Sequence, residues 1–299
     1  MQQQSWIEKT TCTTCGACAD VCPNRILVKD AAAGMRFQPE RLWMCFRCGQ
    51  CMAVCPTGSV RAAGLSYERD FFPLPPAPPD APPASAAFFD LIASRRAVRT
   101  FKDKPVPREL LEKIVQAVQY APPGFPPLKT ELVVVQDPQR IRQALLHMID
   151  VYDMLVKMVR HPVARWVVRR RIGAAKFRTL KQHVVPLMQV RLPGLKAGTE
   201  DTITRGAQAM ILFHANRQQE NYQTDIHIAL AYAFLAAHAL GLGASAMDLI
   251  PPAVDRSPAL RQMFGIPPEN EVVGAVILGF PKYTYRRGIR RDLKSVAWL

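Results

Sequence analysis

Apolar and polar positions follow different rhythms in different parts of this 299-residue chain. After Pro107, the residues Leu110, Leu111, Ile114, Val115 and Val118 share one face of a 3.6-residue repeat, which predicts a helix. Pro107 opens it at a favoured first-turn position, and Pro122 and Pro123 end it. Phe88, Phe89, Leu91 and Ile92 predict a shorter helix leading into SRRAVRTF. Leu132–Val135, Ala209–Phe213 and Glu271–Leu278 are short apolar runs bounded by polar residues, and each predicts a strand, the first of them buried. Thr224–Gly241, rich in Ala and Leu, predicts a long helix closed by Gly241. Its apolar run, Ile226–Leu242, is short for a membrane span and contains His227 and His238, so it reads as a buried helix. From Phe88 onward the pattern is therefore α+β.

No such rhythm governs the first 70 residues. All eight cysteines lie there, between positions 12 and 55. Cys12, Cys15, Cys18 and Cys22 precede Pro23; Cys45, Cys48, Cys51 and Cys55 precede Pro56. Both runs read C-x-x-C-x-x-C-x-x-x-C-P. Three thiolates two residues apart wrap three corners of a [4Fe–4S] cube, and the displaced fourth reaches the other cube. The spacing thus predicts two clusters, one held by Cys12, Cys15, Cys18 and Cys55, the other by Cys45, Cys48, Cys51 and Cys22. Zinc ribbons use paired knuckles, not a triplet with a displaced Cys-Pro. A disulfide framework needs an exported chain. The N-terminus MQQQSWIEKTTC shows neither a basic run nor an apolar core, so the expected compartment is the cytoplasm.

Residues 71–87 hold seven prolines and predict an extended, semi-rigid linker. The expected division is a two-cluster domain over 1–70, a linker over 71–87 and a second domain over 88–299. Apolar residues at 49% and charged residues at 21% suit a globular core, but the net charge of +15 asks for an acidic partner or surface. Residues 151–195 carry ten Lys or Arg against the single acid Asp153. They read as an Arg-rich solvated helix pair covering a pocket. The competing reading is peripheral contact with anionic lipid or an acidic electron donor. No nucleic-acid reading module accompanies the charge.

The cysteine half, about residues 5–65, resembles the bacterial two-cluster ferredoxins. The rest resembles the nitroreductase family of FMN enzymes in five segments, in order: SRRAVRTFKDKPVPRELLEKIVQAVQYAP, LKTELVVVQD, GTEDTITRGAQAMILFHAN, ALGLGASAMDL and GFPKYTYRRGIRRDLKSVAWL. The resemblance implies a small ferredoxin-like domain followed by an α+β FMN domain, its central mixed or antiparallel sheet flanked by helices. It also implies a homodimer with FMN at the subunit interface.

By the same resemblance, Arg95, Arg96 and Arg99 match the FMN-binding basic cluster, and Arg290 or Arg291 the C-terminal phosphate contact, with Arg287 a weaker match. Arginine suits a phosphate because its planar fork stays charged and binds two oxygens at once. The turn Ala246-Met247-Asp248 matches the segment along the flavin, with a backbone N–H toward N5; for Asp248 a helix-capping role competes. Two positions depart from the family. Ala97 stands where it has Ser, and Pro126, in APPGFPP, where it often has Asn; Phe125 is the candidate to stack there instead. His214, His227 and His238 read as core or dimer-interface residues, and no side chain is assigned as catalytic.

The expected activity is FMN-dependent reduction of a small electron-poor substrate, nitroaromatic-like or otherwise conjugated. Its electrons would enter through the clusters from ferredoxin, flavodoxin or NAD(P)H. No G-x-G-x-x-G follows a strand to mark a separate nicotinamide domain. An electron-transfer module serving a partner protein and a membrane-peripheral reductase of a lipophilic substrate are the alternatives.

Overall fold

The computed structural model describes residues 4–72, 83–126 and 130–299. The chain forms two compact units, residues 1–100 with 281–299, and residues 101–280. The segments on either side of the second unit therefore fold with the cysteine half. Most of the expected linker, 73–82, lies outside the described residues. Its last residues are helical, because a helix starts at Pro83. Proline costs nothing at the first position, where its missing N–H has no helical partner, and the Ala-Ser-Ala-Ala after it favours a helix.

The first unit opens with strand β1 (Trp6–Ile7) and one helical turn, α1 (Ala17–Asp20). The hairpin of β2 (Leu27–Asp30) and β3 (Gly34–Phe37) follows, then a second turn, α2 (Gln50–Val54), and β4 (Val60–Arg61), which pairs back to β1. The helical turn α3 (Tyr67–Asp70) runs into β5 (Phe71–Phe72), which pairs with Gly288–Ile289; α4 spans Pro83–Ser94. The duplicated cysteine run is a duplicated backbone. Thr14 and Arg47 share a left-handed φ of 52° and 53°, Gly16 and Gly49 follow at 83° and 75°, and Arg25 and Gly58 at 47° and 66°. These tight positive-φ corners let a short chain curl around a compact object. The apolar core is small, built on Leu27, Met35, Met52, Ala53, Val60 and Phe71.

The second unit is a four-stranded sheet with helices on both faces. Its elements in order are α5 (Arg108–Val118), β6 (Glu131–Val135), α6 (Pro138–Arg160), α7 (Pro162–Ile172), α8 (Ala174–Thr179), a π turn at Leu180–Val184, α9 (Val185–Lys196), β7 (Ala209–Asn216), α10 (Tyr222–Ala239), β8 (Gly243–Ala246), α11 (Ile250–Arg256), α12 (Pro258–Phe264) and β9 (Asn270–Gly279). The strand order is β6-β7-β9-β8, every pair antiparallel. Alternation along β7 splits the core. Ala209, Ile211, Phe213 and Ala215 face a layer with α5 and α10, while Met210 and Leu212 face α6, α9 and α11.

Two expectations need correction. Leu132–Val135 is an edge strand with only Val135 fully buried, because β6 pairs on one side alone. The three expected strands are joined by a fourth, β8 (Gly243–Ala246), just ahead of the expected turn, and its Gly-Ala-Ser-Ala carries no apolar alternation to betray it.

Candidate redox centres

The cysteines gather as two sets of four. Cys22, Cys45, Cys48 and Cys51 line one cavity walled by Ile26, Leu27, Phe37 and Met44. Around Cys18 stand Cys55, Cys15 and Cys12: burial pushes the Cys18 thiol up to about 12, and those three neighbours add to the rise. Burial also raises Cys51 well above the ordinary range, with Cys48 and Cys22 next in effect; Cys18 is felt there too, so the two sets adjoin. Among the described residues, no three His, Cys, Asp or Glu side chains converge as ligands of one metal ion.

The two displaced cysteines are held alike. The Ile26 N–H donates to Cys22 Sγ at 3.3 Å, and the Ser59 N–H to Cys55 Sγ at 3.3 Å, each four residues beyond its cysteine. Burial pushes the Cys55 thiol up, but hydrogen bonds from Thr57, Ser59 and Val60 outweigh it and bring the thiol below its ordinary value. N–H groups aimed at sulfur stabilise the thiolate, the form that binds iron.

Arg95, Arg96, Ala97 and Arg99 lie in this first unit, as do Arg290 and Arg291. Arg96 is buried; its Nη2 donates to Arg287 O at 3.0 Å, and its Nε has no partner among the described residues. Burial and then the neighbouring Arg95 lower Arg96 to about 10. No carboxylate of the described residues pairs with Arg95 or Arg96. A buried cation next to a half-buried one fits an anion. Arg99 Nη1 reaches Ala97 O at 3.4 Å, and Ala97 O also accepts from Gln50 Nε2 at 2.7 Å.

The C-terminal arginines hold the cysteine loops, which the sequence did not foretell. Arg287 Nη1 donates to Cys55 O at 2.7 Å, and Arg291 Nη2 to Cys48 O at 3.1 Å and Arg47 O at 3.0 Å. Arg290 donates its backbone N–H to Asp70 O at 2.8 Å. Lys282 and Tyr283 both reach Asp20 Oδ2, at 2.6 and 2.5 Å. In sequence this arm is only a basic, aromatic tail.

Ala246, Met247 and Asp248 lie in the second unit, where β8 ends. The Met247 N–H is engaged by Ala275 O at 3.0 Å, and Asp248 is exposed. Loop 122–126 is pinned to the start of α10: the Gly124 N–H donates to the buried Asp225 at 3.0 Å, and Asn221 Nδ2 to Phe125 O at 3.3 Å. Phe125 itself is 88% exposed. His214 is a core residue of β7, its Nδ1 2.8 Å from Asn270 Nδ2. His227 is exposed and His238 half-buried, so neither belongs to the fully buried core.

The basic segment packs its apolar side into the larger core through Val156, Val168, Phe177 and Met188. Its buried Arg191 pairs with Glu200 at 2.9 Å, and Asp153 takes Lys157 and Lys196, both at 2.8 Å. Arg165, Arg169, Arg170 and Arg171 face solvent. None of the described helices is long and apolar enough to cross a membrane.

Comparison with known proteins places these features. The model of the nitroreductase family matches residues 92–280, and that of a 4Fe–4S dicluster domain residues 4–56. Iodotyrosine deiodinase 1 of Rattus norvegicus is 23% identical over 205 residues, covering 66% of this chain. The chain spans 63% of that protein's length. NADH dehydrogenase of Thermus thermophilus is 24% identical over 191 residues, 62% of this chain and 83% of that one. A nitroreductase with bound FMN from Desulfitobacterium hafniense DCB-2 superposes with a TM-score of 0.51 over 70% of this chain and 96% of its own, at 19% identity, a likeness of fold.

Proposed function

We propose, for a chain that belongs to the nitroreductase family of oxidoreductases, an iron–sulfur flavoprotein that passes electrons from two [4Fe–4S] clusters to FMN and on to a small electron-poor substrate. The observation that carries the reading is the pair of four-cysteine sets on the same chain as a nitroreductase domain. Thiols grouped in fours suit the corners of a cube. Cys12, Cys15, Cys18 and Cys55 hold one cluster; Cys45, Cys48, Cys51 and Cys22 hold the other.

Bound FMN supplies two-electron storage and hydride transfer. Arg95, Arg96 and Arg99 are the residues we assign to its phosphate, all three by their match to the family's basic cluster and Arg96 also by its buried, unpartnered Nε. Arg290 and Arg291 remain secondary candidates, since Arg291 is already engaged with Cys48 and Arg47. Near the flavin ring we assign Ala246, Met247 and Asp248. With the Met247 N–H committed to Ala275, the donor toward N5 falls to a neighbouring residue of that turn. The protein is a homodimer by the habit of its family, in a cytoplasmic setting.

Anaerobic purification tests this reading. About eight iron and eight sulfide per chain are expected, with one FMN that Arg95→Ala and Arg96→Ala lose. Full iron content with no flavin in the unaltered protein overturns the FMN half.

A second reading, peripheral contact with anionic lipid, is favoured by α7, where exposed Val163, Trp166 and Val167 stand among Arg169 and Arg170. Arg170 lies 5.0 Å over the Trp166 ring. Salt-sensitive sedimentation with anionic vesicles, lost in Trp166→Ala, is its test.

A further inference from the structure

Each proposed cluster has one ligand at the surface. Cys15 and Cys45 are exposed, whereas the other six cysteines are buried or half-buried. Electron transfer needs close approach, so each exposed ligand marks a way in from solvent. The two approaches differ in chemistry. Around Cys15 the exposed residues are Thr11, Thr13 and Thr14, small, polar and uncharged. Flanking Cys45 they are Leu42, Trp43, Phe46 and Arg47, with Trp43 55% and Phe46 56% exposed.

Beside Cys45 opens a cleft of about 1010 Å³, with Trp6 and Leu42 on its apolar side and Lys9, Arg36 and Arg47 on its charged side. Among the described residues, no carboxylate lines it. Asp30 pairs with Arg36 at 3.3 Å, and Glu40 is exposed on the adjoining turn, so Lys9 and Arg47 carry most of the positive field. Exposed aromatic side chains flanking an exposed cluster ligand, next to a cleft that holds Lys9 and Arg47, have the composition of a recognition surface.

We propose that the Leu42–Arg47 surface with its cleft is the docking site of an acidic one-electron carrier protein, which loads the cluster held by Cys22, Cys45, Cys48 and Cys51. This inference rests on the cluster assignment above and adds its electron donor. The step moves one electron: the carrier is oxidised by one, the cluster is reduced by one, and no bond or proton is exchanged. Charge complementarity selects the occupant. The chain carries +15, which disfavours a basic partner and steers an acidic one. Interfaces of such carriers are small and transient, matching a patch of three apolar side chains and a few cations.

The test uses the intact, cluster-loaded protein and a reduced, acidic flavodoxin, with cluster bleaching followed by anaerobic stopped flow. At low salt the rate should fall about tenfold in the pair Lys9→Glu and Arg47→Glu, and again in Trp43→Ala, and should fall with rising salt in the unaltered protein. The control pair Arg165→Glu and Arg169→Glu on α7 makes the same change of net charge and should leave the rate near its original value. Dithionite, which needs no docking, should reduce every variant alike.

Loss of dithionite-reducible iron–sulfur absorption in the unaltered protein would sink the cluster assignment itself. Intact clusters with equal flavodoxin rates in all variants overturn the docking site alone. So does an equal slowing by the α7 control, which would mean steering by net charge, or reduction by NADPH with flavodoxin inert.

Discussion

The two units of this chain are organised by different forces. Residues 101–280 close around apolar layers on both faces of a sheet, with Phe213, Ile211, Met210 and Leu212 fully buried at its centre. The cysteine half has a few short strands, single helical turns and a small core. Cores that small seldom suffice, and metal clusters commonly supply the missing stability. One half is thus folded by hydrophobic burial, the other by its inorganic ligands. The same sequence rules cannot serve both.

The strongest way to break this contrast is to remove the metal. Chelation under oxidising conditions, or Cys18→Ser, should unfold the first unit while the second keeps its protected amides; hydrogen exchange reads both at once. Loss of protection in both units together would show one cooperative fold. Next in size is Phe213→Ala, which should destabilise the second unit by about 3–5 kcal/mol in denaturant melts and leave iron content unchanged.

A smaller effect comes from acid. Burial lowers the His214 pKa from its ordinary 6.5, with Glu131 opposing and Arg261 assisting. A histidine neutral in the fold binds fewer protons than the unfolded chain. The second unit should therefore be at full stability above about pH 6.5 and lose up to about 1.4 kcal/mol per pH unit as pH falls from there toward the folded pKa. His214→Gln should flatten that slope. The smallest effect is Arg108→Ala at the solvent-facing start of α5, whose exposed 2.8 Å pair with Glu112 is screened by water, so the denaturant midpoint should stay nearly unchanged.

This contrast also explains what could be read from sequence. Helices α5 and α10 and strands β7 and β9 declared themselves because apolar periodicity causes them. Strand β8 did not, since Gly, Ala and Ser hold their place by pairing with β9 alone. The cysteine sets were legible for a different reason: a repeated spacing shows which thiols can gather. What stayed hidden was how the chain's distant parts meet. Nothing local announces that Arg287 and Arg291 donate to Cys55 and Cys48, or that Asp225 pins Gly124 from about a hundred residues away. Exposure was equally invisible, and it alone separates Cys15 and Cys45 from their six neighbours.

The most direct test of the central claim, that clusters and flavin share this chain, is an anaerobic reductive titration followed by visible absorption and EPR. A flavin band and a broad iron–sulfur shoulder should bleach together, with the coupled signal of two adjacent reduced [4Fe–4S] clusters emerging. A protein that shows neither iron–sulfur absorption nor a flavin band, or that binds only a redox-silent metal, contradicts the account.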